Sequence, residues 1–398
     1  MIIQPKIRGF ICTTAHPQGC RQHVKQWIDY VKSKPKIGNP PKKVLVIGAS
    51  TGFGLASRIA AAFGGGAQTI GVFFEKPADG KRTASAGWYN TAAFEEFAAE
   101  AGLYAKSFNG DAFSDEIKKQ VLETIQNDWN GEVDLVIYSI ASPRRADPKT
   151  GEVFSSVLKP IGKSFHNKTV DVMNAKLSEI SIEPASEAEI IDTVRVMGGE
   201  DWQWWIEDLI EANLLAHNAK TVAFTYIGPE VTHAIYRQGT IGKAKEHLEQ
   251  TAEVLNNMLS ESVDGEAYIS VNKALVTQAS AAIPVVPLYI SILYKIMKEK
   301  KLHEGCIEQM YRLLHDRLYG DPEMLLDKKG RIRLDDLEMR QDVQEAVNAV
   351  WNKINNDNLN EYADLAGYRD DFYRLFGFEL PAVNYEAEVD PDVKIGSL

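Results

Sequence analysis

The sequence has few cysteines and no unbroken apolar segment long enough to cross a membrane. Its 398 residues contain three cysteines, an odd and low number that supports no disulfide framework and fits a reducing compartment. The longest apolar stretch, 281–297, is interrupted by two prolines, a serine and a lysine, so we expect no membrane span. The N-terminal segment 1–20 lacks the apolar core of a signal peptide. These absences predict a cytoplasmic protein.

The chain also lacks an excess of positive charge. Lysine and arginine together number 44 against 55 aspartates and glutamates, which gives a formal net charge of −11. Proteins that bind nucleic acids in general present a basic surface, so we expect no nucleic-acid partner.

A complete set of metal ligands is missing as well. Cys12, His16 and Cys20 are spaced four residues apart, but the only further ligand nearby is His23. A structural zinc site needs four ligands, usually as two close pairs. The segment His303–Cys306 does not have the His-Glu-x-x-His pattern of a metalloprotease. We therefore expect no metal.

Short apolar runs alternate with amphipathic helical segments through much of the chain. Fully apolar runs of this length are typical of strands that are buried on both faces of a parallel sheet. The alternation predicts an α/β fold, with a doubly wound, mainly parallel sheet of the Rossmann type and helices on both faces. The predicted strands lie within 42–50, 67–75, 104–111, 132–142, 219–228 and 265–277.

The alternation is interrupted after the fourth predicted strand by a segment with scattered prolines, glycines and short β-like runs. We interpret this segment as an insertion in a single enlarged domain, 1–398, which also has a hairpin at 324–334. The predicted parts are an N-terminal extension (1–41), a dinucleotide-binding core (42–142), the insertion (143–186), a continuation of the core (187–280), and a substrate-lid helix with a helical C-terminal region (281–398).

The turn after the first strand has a glycine pattern typical of dinucleotide binding. Gly48, Gly52 and Gly54 form G-x-x-x-G-x-G between a strand and a helix, where the backbone can approach a pyrophosphate at the helix N-terminus. Glu75 lies 21 residues after Gly54, where its carboxylate would bind the adenosine ribose and repel a 2′-phosphate. The pattern predicts NADH as the cofactor. The alternative is an ordinary glycine-rich turn with a solvated glutamate.

Two other strand ends are placed to contact the same cofactor. Asp111, after the third strand, can reach the adenine edge or cap the next helix, and the two roles do not exclude each other. Ser139–Ser142, after the fourth strand, would lie against the ribose and nicotinamide, although small residues also end strands generally.

A tyrosine and a lysine nine positions apart, Tyr236 and Lys245, follow the fifth strand with Gly239 and Gly242 between them. On one continuous helix they would lie on opposite faces, about 13 Å apart along the axis. We predict a fold-back instead, with a new helix, capped by Thr240, that carries the lysine toward the tyrosine. The ammonium would lower the pKa of the phenol, and the phenol would stabilise charge on a substrate carbonyl. The alternative is a half-buried aromatic residue and a solvated lysine.

The sequence resembles the large single-chain NADH-dependent trans-2-enoyl reductases of bacteria, enlarged relatives of the short-chain dehydrogenase/reductase superfamily. The resemblance covers essentially the whole chain and includes the motifs GASTGFG, GWYN, YSIASP, YIGPE, YRQGTIGKAKEHLE and VNKALVT. The Y-x8-K spacing of Tyr236 and Lys245 is similar to the family's catalytic signature, whereas ordinary superfamily members have Y-x3-K. The resemblance implies reduction of the trans-2 double bond of enoyl-CoA or enoyl-acyl-carrier-protein thioesters by NADH, the last reductive step of fatty-acid elongation.

The resemblance also implies roles for individual residues. Tyr236 would donate a proton or stabilise the enolate, Lys245 would bind NADH, and Tyr226 would contact the substrate carbonyl. The other implied NADH contacts are Gly48, Ala49, Ser50, Thr51, Gly52 and Phe53 at the pyrophosphate, Phe74 and Glu75 at the ribose, Asp111 and Ala112 at the adenine, Ile140 and Ala141 at the nicotinamide, and Leu275, Val276 and Thr277 over the cofactor.

The resemblance further suggests that the apolar face of segment 279–300 lines an acyl channel, with Leu288 and Ile292 affecting the accepted chain length; the alternative is an ordinary buried helix. A monomer is expected, because the insertions would cover surfaces that smaller relatives use to associate. Two competing functions are an NADH-dependent carbonyl reductase and an NADH-binding protein that has lost its chemistry.

Overall fold

The structure, a computed structural model, describes residues 1–9, 11–320 and 324–398, in which strands and helices alternate. The strands are β1 (Ile7–Arg8), β2 (Ile11–Cys12), β3 (Lys43–Ile47), β4 (Gln68–Phe73), β5 (Ala105–Asn109), β6 (Val133–Tyr138), β7 (Arg144–Ala146), β8 (Val153–Ser155), β9 (Phe165–Asp171), β10 (Lys176–Ile182), β11 (Leu215–Thr225), β12 (Glu266–Val271) and β13 (Ile332–Arg333).

The helices surround the sheet formed by seven of these strands. They are α1 (Pro17–Lys32), α2 (Gly52–Ile59), α3 (Ala86–Glu100), α4 (Asp115–Trp129), α5 (Glu187–Met197), α6 (Glu200–Glu211), α7 (Glu230–His233), α8 (Thr240–Val263), α9 (Val286–Glu299), α10 (Cys306–Arg312), α11 (Gln341–Lys353), α12 (Leu359–Tyr362) and α13 (Leu365–Arg374). Within the described residues, no helix has both the length and the apolar character needed to cross a membrane.

The central sheet has the strand order β13-β12-β11-β6-β3-β4-β5, and all neighbouring strands are parallel. β4 and β5 extend the sheet on one side of β3, and β6, β11 and β12 extend it on the other. The strand order therefore reverses between β3 and β6, and such a reversal leaves a crevice at the carboxyl ends of the strands. The predicted doubly wound α/β fold is confirmed.

Alternate residues of the central strands face two different cores. Val44 and Val46 belong to the core that includes side chains of α1, α2, α9 and α10, whereas Leu45 and Ile47 belong to the core that includes α4, α6 and α8. Since successive side chains of a strand point to opposite faces, helices on both faces bury the entire run. This double burial explains the unbroken apolar run 44–47 of β3.

Two strand predictions need correction at the C-terminal side of the sheet. β12 ends at Val271, so 272–277 leave the sheet at its carboxyl edge instead of continuing the predicted strand. In the predicted hairpin at 324–334, Leu326 and Ile332 form one antiparallel bridge, while β13 pairs in parallel with β12. A two-residue strand carries too little alternation for the sequence to indicate which sheet it joins.

The segment between β6 and α5 lies outside the central sheet. It forms two separate hairpins, β7 with β8 and β9 with β10. The ammonium of Lys168 in β9 donates to the Trp351 carbonyl in α11 at 3.0 Å, which attaches the second hairpin to the C-terminal region.

Candidate active site

The glycine-rich turn after β3 lies at the crevice between β3 and β6. Gly48 has a φ of +88°, and a Cβ atom there would be 2.2 Å from the Ser139 carbonyl oxygen. A Cβ atom on Gly54 would be 1.9 Å from the Gly48 carbonyl oxygen. Gly52, with a φ of +53°, faces open space. Packing therefore requires two of the glycines, and the third leaves its backbone accessible to a ligand.

Helix α2 begins in this turn without a side-chain cap. Thr51 is the N-cap residue, but its side chain makes no capping hydrogen bond. The N–H groups in the first turn of a helix have no intrahelical partners and attract anions. These residues fit the pyrophosphate of a dinucleotide.

Glu75 follows β4 and is held in place by its neighbours. The Ser50 hydroxyl donates to Glu75 Oε1 at 2.8 Å, and the Glu75 N–H donates to Asn109 Oδ1 at 2.8 Å. Gly87 is needed beside it, because a Cβ atom there would be 2.0 Å from Glu75 Oε1. Burial raises the pKa of Glu75, and hydrogen bonds from Ser85 and Ser50 oppose the shift. The sequence interpretation missed Gly87, although the GWYN motif contains it.

Asp111 follows β5 at the same edge of the sheet but does not cap the next helix. Its Oδ1 accepts from the Phe113 N–H at 3.0 Å. The cap of α4 is Ser114, whose hydroxyl accepts from the Ile117 N–H. The helix-cap alternative is therefore wrong for Asp111, and its carboxylate stays at the carboxyl edge of the sheet.

These strand ends border a groove of about 690 Å³. Ala49 does not line it, because this residue is buried and its N–H donates to the Val72 carbonyl at 2.9 Å. The predicted cofactor residues that line the groove are Gly48, Ser50, Thr51, Gly52, Phe53, Phe74, Glu75, Asp111, Ala112, Ile140, Ala141 and Thr277.

The chain folds back between Tyr236 and Lys245. Tyr236 lies in the turn after α7, and Lys245 lies in the second turn of α8. The N-cap of α8 is Gly239, which makes no side-chain hydrogen bond, so the prediction that Thr240 caps the helix is wrong. The Thr240 hydroxyl donates instead to the Val157 carbonyl. This bond attaches the start of α8 to the insertion.

Tyr226, Tyr236 and Lys245 line one chamber of about 180 Å³. The two tyrosine rings pack edge to face, with their centroids 5.0 Å apart, and the ammonium of Lys245 donates to the Phe224 carbonyl at 3.0 Å. Both tyrosines and the lysine therefore face one space. Residues that line both this chamber and the groove include Phe53, Ile140, Ala141 and Thr277.

Burial determines the protonation of the tyrosine and the lysine. It raises the pKa of Tyr236 well above the usual value, and the charge that opposes the shift is Arg237. The prediction that Lys245 lowers this pKa is therefore wrong, because desolvation outweighs any effect of the ammonium. Burial lowers the pKa of Lys245 to about 8. At pH 7 the phenol keeps its proton and the lysine is still mostly a cation.

Two buried polar atoms of residues that line the chamber have no hydrogen-bond partner in the described part of the chain. They are Thr225 Oγ1 and Asn272 Nδ2. A buried polar atom without a partner costs free energy, and both atoms belong to residues at the carboxyl ends of β11 and β12. Neither residue was identified from the sequence, where both look like ordinary strand ends.

Helix α9 contributes to the apolar wall of the chamber, but through other residues than predicted. Val286 and Ile290 line the chamber, whereas Leu288 and Ile292 pack in the core. Two positions along a helix correspond to a rotation of about 200°, which places the two pairs on opposite sides of α9. The prediction that Leu288 and Ile292 line the acyl channel is wrong.

Of the residues predicted to lie over the cofactor, two line the chamber and one is buried in the core. Leu275 and Thr277 line the chamber. Val276 is buried between them, and its N–H donates to the Tyr294 hydroxyl at 3.1 Å, so this residue holds the segment against α9.

The N-terminal cysteines and histidine have packing roles. The Nδ1 atom of His16 caps α1 by accepting from the Gly19 N–H at 3.2 Å, and burial raises the pKa of the Cys20 thiol. Across 1–9, 11–320 and 324–398, no three His, Cys, Asp or Glu residues are grouped so that they could hold a metal ion.

Three family models match consecutive parts of the chain. The NAD(P)H binding domain of trans-2-enoyl-CoA reductase matches residues 2–80, and the trans-2-enoyl-CoA reductase catalytic region matches residues 82–319. A third model, described as an enoyl reductase FAD binding domain, matches residues 326–389.

The residues of the third segment contribute little to the groove and nothing to the chamber. Trp351, Tyr368 and Phe372, which are among its largest side chains, are buried in the core. Leu375 is the one residue of 326–389 that lines the groove, and none lines the chamber.

Relatives along the full length agree with the first two models. The chain is 66% identical to enoyl-acyl-carrier-protein reductase (NADH) of Coxiella burnetii, covering 100% of this chain and 98% of that protein. It is 59% identical to trans-2-enoyl-CoA reductase (NADH) of Ruminiclostridium cellulolyticum, covering 100% of both. The solved Treponema denticola trans-2-enoyl-CoA reductase in complex with NAD superposes with a TM-score of 0.95 at 52% identity, covering 99% of this chain and 100% of that one. The chain belongs to the trans-2-enoyl-CoA reductase family.

Proposed function

We propose that this protein reduces the trans-2 double bond of enoyl thioesters with NADH, as the names of its relatives state for those proteins. The observation that carries the proposal is the chamber in which Tyr226, Tyr236 and Lys245 meet, and which shares wall residues with the groove. A dinucleotide that occupies the groove therefore reaches the tyrosine pair at the chamber.

The groove residues provide a complementary group for each part of the cofactor. The N-terminus of α2 at Gly52 binds the pyrophosphate, Glu75 binds the adenosine ribose, and Asp111 and Ala112 flank the adenine. The ammonium of Lys245 has further donors besides the one bonded to Phe224, and these bind the nicotinamide ribose. When bound, NADH supplies the hydride that is added to C3 of the thioester.

Tyr236 stabilises the charge that develops on the substrate. Addition of a hydride to C3 of an enoyl thioester leaves negative charge on the thioester oxygen. A phenol that is protonated at pH 7, as burial makes Tyr236, donates a hydrogen bond to this oxygen. A proton taken up from solvent then adds to C2 and gives the saturated thioester.

Turnover of defined thioesters tests the proposal. Purified protein with NADH and crotonyl-CoA should show loss of the NADH absorbance, whereas acetoacetyl-CoA should give little loss. A preference for acetoacetyl-CoA would instead indicate a carbonyl reductase. Binding of NADH without oxidation of it by either compound would indicate a binding protein.

Crotonyl-CoA and crotonyl-acyl-carrier-protein, compared at equal concentrations, identify the preferred carrier of the acyl group.

We also propose a cytoplasmic monomer, which fits the low count of cysteines and the insertion outside the sheet. A sedimentation-velocity mass near 44.3 kDa supports a monomer, and a multiple of that mass contradicts it.

Glu75→Ala is expected to reduce the preference for NADH over NADPH. The wild-type carboxylate repels the 2′-phosphate of NADPH, and loss of about 1.4 kcal/mol of repulsion corresponds to about a tenfold smaller ratio of kcat/KM values. The measurement is kcat/KM for the two cofactors at saturating crotonyl-CoA. Glu100→Ala, at the exposed end of α3, is the control and should leave the ratio unchanged. An unchanged ratio in Glu75→Ala would contradict the role.

Ile290→Ala is expected to shift the preference toward longer acyl chains. The substitution enlarges the apolar wall of the chamber, and space for one or two methylene groups corresponds to about a 10- to 100-fold change in the kcat/KM ratio of trans-2-octenoyl-CoA to crotonyl-CoA. Leu288→Ala is the matched control, because this residue is also fully buried but does not line the chamber. The control should lose stability without a change in the ratio. Equal ratios in both variants would show that α9 does not bind the acyl chain.

A further inference from the structure

A buried carboxylate of the C-terminal region lies behind the chamber. Glu338 follows β13 and has no solvent exposure, and it does not line the chamber itself. Its Oε1 accepts from the Tyr226 hydroxyl at 3.0 Å and from the Tyr289 hydroxyl at 2.6 Å. Its Oε2 accepts from the Ala274 N–H at 2.7 Å. One carboxylate thus connects the ends of β11 and β12 with α9.

The directions of these hydrogen bonds follow from the donors. The Ala274 N–H has no acceptor capacity, so Oε2 must accept from it. The Tyr289 hydroxyl accepts from Gln344 Nε2 at 3.2 Å, and its own proton is therefore directed at Glu338. Lys273 is the cation whose charge acts on this carboxyl group. Burial raises the pKa of Glu338, and the charge of Lys273 with the hydrogen bonds from Tyr289 and Ala274 opposes this shift. With O–H and N–H donors directed at both oxygens, the geometry fits a carboxylate that accepts at each of them.

A phenol has one proton to donate, and the two tyrosines of the chamber differ in where this proton is directed. The proton of Tyr226 is engaged by Glu338. For Tyr236, burial and the charge of Arg237 are the influences on its pKa, and no side-chain hydrogen bond contributes within the described residues. The hydroxyl of Tyr236 therefore still has a proton for a ligand in the chamber.

We propose that Glu338 is a positioning residue that holds the Tyr226 proton away from the substrate, so that Tyr236 alone donates to the thioester oxygen. The inference rests on the proposed function and refines the expectation that Tyr226 contacts the substrate carbonyl. Tyr226 provides a ring surface against Tyr236, with its proton turned toward the C-terminal region.

The Glu338→Gln substitution reverses the polarity of the bond to Tyr226. The Ala274 N–H requires an oxygen at the Oε2 position, so the amide NH₂ of glutamine takes the Oε1 position and donates to the two hydroxyls. The Tyr226 proton is then free to point into the chamber. In the Tyr236→Phe background, which lacks the Tyr236 hydroxyl, the Tyr226 hydroxyl can then donate to the thioester oxygen in its place.

The experiment measures kcat with NADH and crotonyl-CoA in four backgrounds. Tyr236→Phe combined with Glu338→Gln should turn over about tenfold faster than Tyr236→Phe alone, since one donor to a developing oxyanion contributes about 100-fold or more when well placed. Adding Tyr226→Phe should abolish the gain. Tyr236→Phe combined with Glu304→Gln is the control and should show no gain, because Glu304 pairs with Arg312 and does not line the chamber.

The outcomes separate the inference from the proposed function. A combined variant that is no faster than Tyr236→Phe overturns the role of Glu338. Tyr226→Phe in the wild-type background is a second test that does not depend on the stability of the Glu338 variants. It should lower kcat much less than Tyr236→Phe does, because the Tyr226 proton is directed at Glu338 and not at the substrate, and a loss as large as that of Tyr236→Phe overturns the inference. Absence of wild-type turnover would overturn the proposed function instead.

Discussion

Tyr236→Phe is expected to lower kcat by about 100- to 1,000-fold, the usual range for removing one hydrogen-bond donor to a developing oxyanion. The substitution keeps the ring that packs against Tyr226 and removes only the hydroxyl. Because Lys245 and the groove are unchanged, the Kd for NADH should stay within about twofold, a difference below 0.5 kcal/mol. The measurements are steady-state turnover of crotonyl-CoA and titration of NADH by fluorescence.

Tyr104→Phe is the matched control for this prediction. Its hydroxyl also donates a hydrogen bond, to Asp128, but Tyr104 lies before β5 and lines neither the chamber nor the groove. Its kcat should equal that of the wild type. Wild-type turnover by Tyr236→Phe would show that the hydroxyl of this tyrosine does not stabilise the charge on the thioester oxygen.

Lys118→Met is expected to reduce the free energy of unfolding by about 3–5 kcal/mol, the cost of leaving one member of a buried ion pair without its partner. Lys118 in α4 and Asp201 in α6 form this pair at 2.6 Å, with side chains 3% and 2% exposed. The Tyr138 hydroxyl also donates to Asp201, at 3.1 Å. Urea unfolding followed by circular dichroism measures the loss.

Lys119→Met provides an adjacent control for the ion pair. This lysine is 77% exposed, so its replacement should change stability by less than about 0.5 kcal/mol. The double variant Lys118→Met with Asp201→Asn should be more stable than Lys118→Met alone, because it buries no unpaired charge and still accepts from Tyr138. Equal stabilities of Lys118→Met and Lys119→Met would show that the pair does not stabilise the fold.

Local patterns were sufficient to predict the sheet and the outline of the site. After Lys43, β3 is apolar at each of its four remaining positions because both faces are covered, and this pattern is visible in four consecutive residues. The glycines at 48, 52 and 54 are adjacent to it, so their pattern is local as well. The interval between Tyr236 and Lys245 contains the glycines that allow the fold-back.

Other features of the site depend on contacts between distant parts of the chain. A side chain at position 87 would collide with Glu75, and Glu338 lies 112 positions after Tyr226. Neither contact leaves a periodic pattern in the sequence from which it could be predicted. The protonation of Tyr236 depends on how deeply the fold buries it, which spacing alone does not indicate. The orientation of α9 was also beyond prediction, because this helix is apolar on nearly all sides.

The position of Glu338 in the chain has a consequence for biosynthesis. Translation proceeds from the N-terminus, and the early part of a polypeptide can begin to fold before the rest has been made. Strands β3 to β6 are complete before residue 140, yet the carboxylate that anchors the rear of the chamber belongs to residue 338. The glycine-rich turn and the neighbouring strand ends can therefore form early on the ribosome, whereas the rear of the reaction chamber can form only after residue 338 has been synthesised.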